Sequence, residues 1–194
     1  RILIILALVA ATTPALAQRR PDTTAMTCAQ ARELVSRAGS IVLGTGELSP
    51  GNGDGVTVYR MDDAGHLTRL FATGKPNPTY LALSSDKRFL YTVNELKEYH
   101  EEPSAAVSAY AIHPESGELT FLNRRMSGGA DACCVSVSTG DTHLMVANFT
   151  GGSFSVLPIL ADGSLGTASC FVQHYGKSVN PTRQTCPHVH QATP

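Results

Sequence analysis

Two imidazoles stand two residues apart in Pro187-His188-Val189-His190-Gln191. In an extended segment, residues i and i+2 point to the same face, so His188 and His190 share one side. Imidazole accepts and donates protons near neutral pH, which suits general acid–base work. Just before the pair, Arg183 lies in Asn180-Pro181-Thr182-Arg183-Gln184 and offers a planar cation for a carboxylate or phosphate. Much earlier, Asn94-Glu95 closes a β-type run. A carboxylate there can orient a substrate hydroxyl or a catalytic histidine. Each candidate has a plainer alternative. A His-x-His pair is often structural, Arg183 reads equally as a surface-loop cation, and Asn94 and Asn148 read as strand-end residues that cap loops. Asn148-Phe149-Thr150 also fits a glycosylation sequon.

Other chemistry finds little support. No Walker loop, Gly-x-Ser-x-Gly or His-Glu-x-x-His occurs. The five cysteines, Cys28, Cys133, Cys134, Cys170 and Cys186, form no zinc spacing. Cys133 and Cys134 read as small, mostly buried strand residues. No third ligand accompanies the histidines at a useful spacing, so no metal is expected. A net charge of −1 without a basic cluster argues against a nucleic-acid partner.

The elements that must position these groups repeat. Thr79 to Asn94 aligns without a gap on Cys133 to Asn148. Leu90 then faces Leu144, Val93 faces Ala147 and Asn94 faces Asn148. Val56 to Met61 matches Val107 to Ile112 and Phe154 to Ile159, each followed by a Gly-containing turn and Leu67, Leu119 or Leu165. A period of roughly 50 residues with four short strands per unit indicates a β-propeller blade. One blade is expected from strands near Thr79 to Ser84, Arg88 to Asn94, Ala106 to Ile112 and Glu118 to Asn123. The next is expected near Cys133 to Ser138, Thr142 to Asn148, Ser153 to Ile159 and Ser164 to Val172. An earlier partial blade uses Ile41 to Thr45, Val56 to Met61 and His66 to Phe71. Pro187 to Pro194 aligns with Pro78 to Ser85 and opens a further blade. In that register His188 takes the place of Thr79 and Cys133, and His190 that of Leu81 and Val135. The repeat asks for apolar side chains where this segment supplies imidazoles, and local rules are broken where function demands it.

The N-terminus reads differently. Arg1, the apolar run Ile2 to Ala11 and the ending Ala15-Leu16-Ala17 have the form of a secretory signal peptide, cleaved before Gln18. Residues 18–40 read as a linker and a short helix from Thr27 to Val35, capped by Thr27 and ending near Gly39. Export places the protein in the periplasm or outside the cell, where disulfides are permitted.

Gly74-Lys75-Pro76-Asn77-Pro78-Thr79-Tyr80-Leu81, Arg88 to Glu95, Ser127-Gly128-Gly129-Ala130-Asp131 and Ala147-Asn148-Phe149-Thr150-Gly151-Gly152-Ser153 together resemble the lactonase family that includes 6-phosphogluconolactonase. Phe171-Val172-Gln173-His174 and the histidine segment continue the resemblance, which spans Ile41 to Pro194. It implies an all-β, seven-bladed propeller that opens a sugar lactone to the acid at one mouth of its channel, without a metal or cofactor. It implies His188 as the catalytic residue and matches His190 to a less constant neighbour; read from their own chemistry and place, His190, Arg183, Glu95 and Gln191 are the candidate substrate contacts. Further family residues, an Arg and a Glu of later blades, would fall beyond Pro194. Cys186, where Gly is commoner, and Cys133-Cys134 depart from the pattern. An exported member would act on a lactone other than the cytoplasmic phosphorylated one.

A closed ring needs ~4–8 blades, and this chain carries about two full blades and two partial ones, so a truncated propeller is expected. The competing readings are a non-catalytic propeller that binds a ligand or partner, and a cycloisomerase of the muconate-lactonising type.

Overall fold

The computed structural model describes residues 55–73, 76–180 and 182–194, together with the backbone of Leu3–Ala7. The helix expected at Thr27 to Val35, the strand at Ile41 to Thr45, Cys28 and most of the expected leader lie outside these residues. The chain divides into two compact units, Arg1–Lys75 and Pro76–Pro194.

The first unit holds β1 (Leu3–Ala7), β2 (Val56–Met61) and β3 (Leu67–Thr73) in one antiparallel sheet, with β2 in the middle. β1 runs from Leu3 opposite Arg60 to Ala7 opposite Val56. It is part of the apolar run expected to serve as the core of the leader. A run containing Ile4-Ile5 has strand propensity, and a strand edge offers it unpaired N–H and C=O groups.

The second unit is built from two four-stranded antiparallel sheets in up-and-down order. The first comprises β4 (Leu81–Leu83), β5 (Phe89–Asn94), β6 (Ala106–Ile112) and β7 (Leu119–Met126). The second comprises β8 (Ala132–Val137), β9 (His143–Asn148), β10 (Ser153–Pro158) and β11 (Cys170–Gln173). The repeat alignment holds in the pairing register. Leu81 pairs Thr92 as Val135 pairs Val146, and Asn94 pairs Ala106 as Asn148 pairs Ser153. A register shift falls between Ala109 and Tyr110 in the first blade, and between Val58 and Tyr59 at the matching place in β2. The turns repeat as well. Lys87 and Asp141 occupy equivalent positions with φ of 59° and 55°, as do Asn77 and Asp131 with φ of 39° and 53°. In both blades the serine before the turn, Ser84 or Ser138, accepts on Oγ from the backbone of Phe89 or His143.

Burial follows position within the blade. β5 and β6 are buried along nearly their whole length, whereas β7 keeps exposed residues on both sides of its centre. Middle strands covered on two faces need apolar or small residues throughout, which explains their near-continuous runs. The main core lies between the blades: Tyr91, Val93, Val107 and Ala109 of the first pack with Val135, Leu144, Val146, Leu157 and Leu165. Burying each Leu or Val contributes ~1.5–3 kcal/mol. Polar ties reinforce this contact. Tyr91 donates from its hydroxyl to the Gly163 carbonyl at 3.1 Å, and Asn123 both donates to and accepts from the Leu165 backbone. Gly163 has a φ of 83°, and a Cβ there would sit 2.1 Å from the Phe89 ring, so only glycine lets this turn lie on the neighbouring blade.

The outermost strand departs from expectation. Ser164 to Val172 is not one strand: Leu165 makes an isolated bridge to Ile159, and the ladder resumes only at Cys170. Gly166 and Ser169 still donate to β10 backbone carbonyls across the gap. Pro187 to Pro194 joins no ladder among the described residues; instead the carbonyls of Val189, His190 and Ala192 meet side chains of β8.

Candidate functional site

The end of the blades where β5 and β9 finish carries the candidate residues. There the chain leaves β9 through Phe149, whose N–H donates to the Asp131 carbonyl at 2.9 Å. In the preceding blade Glu95 makes the same bond to the Asn77 carbonyl at 3.0 Å. Glu95 and Phe149 therefore hold one structural position. A backbone N–H must find this acceptor wherever the strand ends, and the left-handed Asn77 and Asp131 turn their carbonyls toward it.

The segment after Cys186 is docked by three contacts. Gly152 has a φ of 59°, and a Cβ there would lie 2.6 Å from the Pro187 carbonyl, so the glycine permits the close approach. Cys133 of β8 places its thiol 3.4 Å from the His190 carbonyl and 3.6 Å from that of Val189. Ser136 donates to the Ala192 carbonyl at 2.6 Å. These contacts leave the two imidazoles on one side, as the i, i+2 spacing requires. His188 stacks on the Phe149 ring at 4.5 Å with 14° between planes, and His190 meets the same ring edge-on at 5.6 Å. His188 Nδ1 lies 3.1 Å from the Phe149 carbonyl oxygen. A carbonyl can only accept, so Nδ1 carries the hydrogen, and in the neutral ring Nε2 keeps its lone pair. The arrangement supplies a half-buried base whose free nitrogen points away from its anchor.

The other sequence candidates are placed less uniformly. Glu95 is half-buried and close enough to Cys133 for its charge to act on the thiol. Burial first, then the neighbouring Cys134 and Glu95, push the Cys133 thiol up to about 12. Cys134 is raised as well, by burial. Both thiols therefore stay protonated donors and are poor nucleophiles. Gln191 is exposed. Arg183 is exposed too, in a turn where Asn180 Oδ1 accepts from the backbone of Thr182 and Arg183. The guanidinium makes no ion pair among the described residues, and no contact brings it to His188.

Asn94 and Asn148 are structural. Asn94 donates to the Pro76 carbonyl at 2.6 Å and accepts from Ser108 at 2.6 Å, while Asn148 donates to Ser127 and Ser153. Both are fully buried, which closes the Asn148 sequon to a glycan. Cys133, Cys134, Cys170 and Cys186 are all free, and no three metal-ligating side chains come together among the described residues.

The opposite end has a cleft lined by Ser84, Asp86, Arg88, Phe89, Asp141 and Leu160, among others. Its carboxylates are already engaged, Asp86 by Arg88 and Ser84, and Asp141 by the backbone and hydroxyl of Ser85. Sequence reasoning missed Phe149 as part of the site. The available signal was an aromatic residue aligned with Glu95, a polar residue at the same strand exit.

The profile of the lactonase family, described as a 7-bladed β-propeller, matches residues 41–194. The chain belongs to this lactonase family. A 6-phosphogluconolactonase of Bacillus subtilis strain 168 is 32% identical over 154 residues, covering 76% of this chain and 41% of its own length. A crystal structure from Bacteroides fragilis, of a candidate 6-phosphogluconolactonase, is 36% identical with a TM-score of 0.66, over 72% of this chain and 38% of its own. The periplasmic gluconolactonase of Pseudomonas aeruginosa is 30% identical with a TM-score of 0.61, over 69% of this chain and 38% of its own. The chain thus spans about two fifths of the length of the relatives it matches. In this lactonase propeller the two complete four-stranded sheets are blades, and their shared end carries the histidines.

Proposed function

We propose that this chain supplies the histidine-bearing part of a lactone-hydrolysing site and that the substrate is a sugar lactone of the gluconolactone type. The observation that carries the reading is His188 held with its hydrogen on Nδ1 and its lone pair on Nε2 at the end of the blades. In the proposed reaction Nε2 takes a proton from water as the water oxygen bonds to the lactone carbonyl carbon. The resulting tetrahedral oxyanion is held by a cation, Arg183 or one from elsewhere in the full-length protein. The intermediate collapses, the ring C–O bond breaks, and the imidazolium returns its proton to the departing alkoxide. Glu95, His190 and Gln191 are proposed to orient sugar hydroxyls.

The test is steady-state hydrolysis of glucono-δ-lactone and 6-phosphogluconolactone by the full-length protein. His188→Ala is expected to lower kcat by ~10²–10⁴, the usual worth of a positioned acid–base group. Unchanged turnover on every lactone would remove His188 from the mechanism.

Export to the periplasm belongs to the same proposal. Its support is the basic residue, short apolar run and Ala-x-Ala ending at residues 1–17, together with the similarity to a periplasmic gluconolactonase. No helix among the described residues is long and apolar enough to cross a membrane. N-terminal sequencing of the protein expressed from its native start is expected to give Gln18. An uncleaved chain in the cytosolic fraction overturns the export reading.

A further inference from the structure

We infer that Phe149 is a positioning residue for His188, acting through two different parts of itself. The inference rests on His188 being the acid–base group. The Phe149 carbonyl accepts from His188 Nδ1, and the Phe149 ring lies against the face of the same imidazole at 4.5 Å and 14°. The carbonyl fixes which nitrogen carries the hydrogen, and the ring fixes the plane in which the other nitrogen points. An imidazole held by one hydrogen bond alone can still turn about it, and a stacked ring removes that freedom. His190 meets the same Phe149 ring edge-on at 5.6 Å, so all three rings are in contact through Phe149.

The carbonyl is itself held. Gly152 donates its N–H to the Phe149 oxygen at 3.2 Å, and the Phe149 N–H is tied to the Asp131 carbonyl at 2.9 Å. Both ends of the Phe149 peptide segment are therefore anchored to the turn between β9 and β10 and to the loop before β8. The comparison within the molecule makes the assignment specific. At the equivalent exit of the preceding blade stands Glu95, and at the equivalent of His188 stands Cys133. The exit residue is aromatic where the segment that follows brings an imidazole, and a carboxylate where the segment that follows brings a thiol. Phe149 belongs with the histidine and not with the blade scaffold, which is satisfied by either side chain.

The experiment uses the full-length protein labelled with ¹⁵N-histidine, with Phe149→Leu and Phe149→Tyr. In the unaltered protein the neutral His188 ring is expected to show a protonated Nδ1 and an unprotonated Nε2. An Nε2–H tautomer overturns the assignment, and this reading needs no variant to fold. Phe149→Leu keeps the backbone carbonyl and loses the ring. It is expected to preserve the tautomer, broaden the His188 signals and lower kcat about tenfold with KM within twofold, since misorientation of a catalytic group costs rate more than binding. Phe149→Tyr is expected to restore both signals and kcat. Unchanged signals and unchanged kcat in Phe149→Leu overturn the proposal. If His188→Ala leaves turnover intact while Phe149→Leu still disturbs the His188 signals, the lactonase role of His188 fails and the positioning of His188 by Phe149 stands.

Discussion

The two complete blades share a backbone and differ at their ends. Strand pairing, the left-handed turn residues and the serine that caps the first turn match position for position. Yet the same exit position holds Glu95 in one blade and Phe149 in the next. The same entry position holds Thr79, then Cys133, then His188 as the repeat advances. Thr79 is buried with its hydroxyl unpartnered, Cys133 braces the next segment with a protonated thiol, and His188 presents a free nitrogen. The fold supplies one address repeatedly, and the side chain placed there decides between packing, bracing and the chemistry proposed for His188.

The comparison can be broken most strongly at the glycines of the second blade, which serve opposite ends. Gly152→Ala forces the Pro187 carbonyl away from a Cβ that would lie 2.6 Å from it. It is expected to lower kcat about tenfold to a hundredfold by displacing His188, as measured by lactone hydrolysis. Gly163→Ala meets the Phe89 ring at the other end. It is expected to destabilise by ~3 kcal/mol or more through overpacking and a left-handed alanine, seen as a lowered midpoint in urea, with kcat per folded molecule unchanged. Gly140→Ala, also at positive φ but with nothing within 4 Å, isolates the backbone term and is expected to cost only ~1 kcal/mol.

A second pair sharpens the comparison of strand-end amides. Asn94→Ala strands the Pro76 carbonyl and takes the acceptor from the Ser108 O–H, whose oxygen keeps the Arg124 donor, and is expected to cost ~2–3 kcal/mol. Asn148→Ala, whose Oδ1 is already unpartnered, is expected to cost ~1 kcal/mol less in the same unfolding assay. Thr79→Val removes an unpartnered buried hydroxyl and is expected to change stability by less than ~1 kcal/mol, in the stabilising direction.

The smallest effects are titrations. Hydrogen bonds from Arg88 and Ser84 hold the exposed Asp86 carboxyl down at about 2 from its usual 3.8. A depressed carboxyl stabilises the fold above its unfolded value, and that contribution fades as pH falls from about 4 toward 2. Asp86→Asn is expected to flatten the stability profile slightly across that window in acid unfolding. Timed alkylation near pH 8 with intact-mass readout is expected to modify exposed Cys170 and Cys186 before Cys133 and Cys134.

Much of the scaffold was legible because the repeat is strict in its middle strands. β5, β6 and β9 are buried along most of their length, so runs such as Leu90 to Val93, Ala106 to Ala109 and Val146-Ala147 announce them. The outermost strand was not, because one edge of it is free and Gly166 to Ser169 can leave the ladder at little cost. The shared face of His188 and His190 followed from a period of two. The residue they face did not, since Phe149 lies 39 residues before His188 and meets it through a backbone oxygen as well as its ring, and no side-chain pattern encodes the former. Arg183 stood near the histidines in sequence, but the Asn180 turn presents it to solvent.

That backbone oxygen has an evolutionary corollary. Every amino acid brings the same carbonyl, so substitution at position 149 can retune how firmly the imidazole is clamped while leaving its proton where it is. On the proposed role of His188, drift at this site would adjust turnover by degrees and would not abolish it, a dial at position 149 against a switch at position 188.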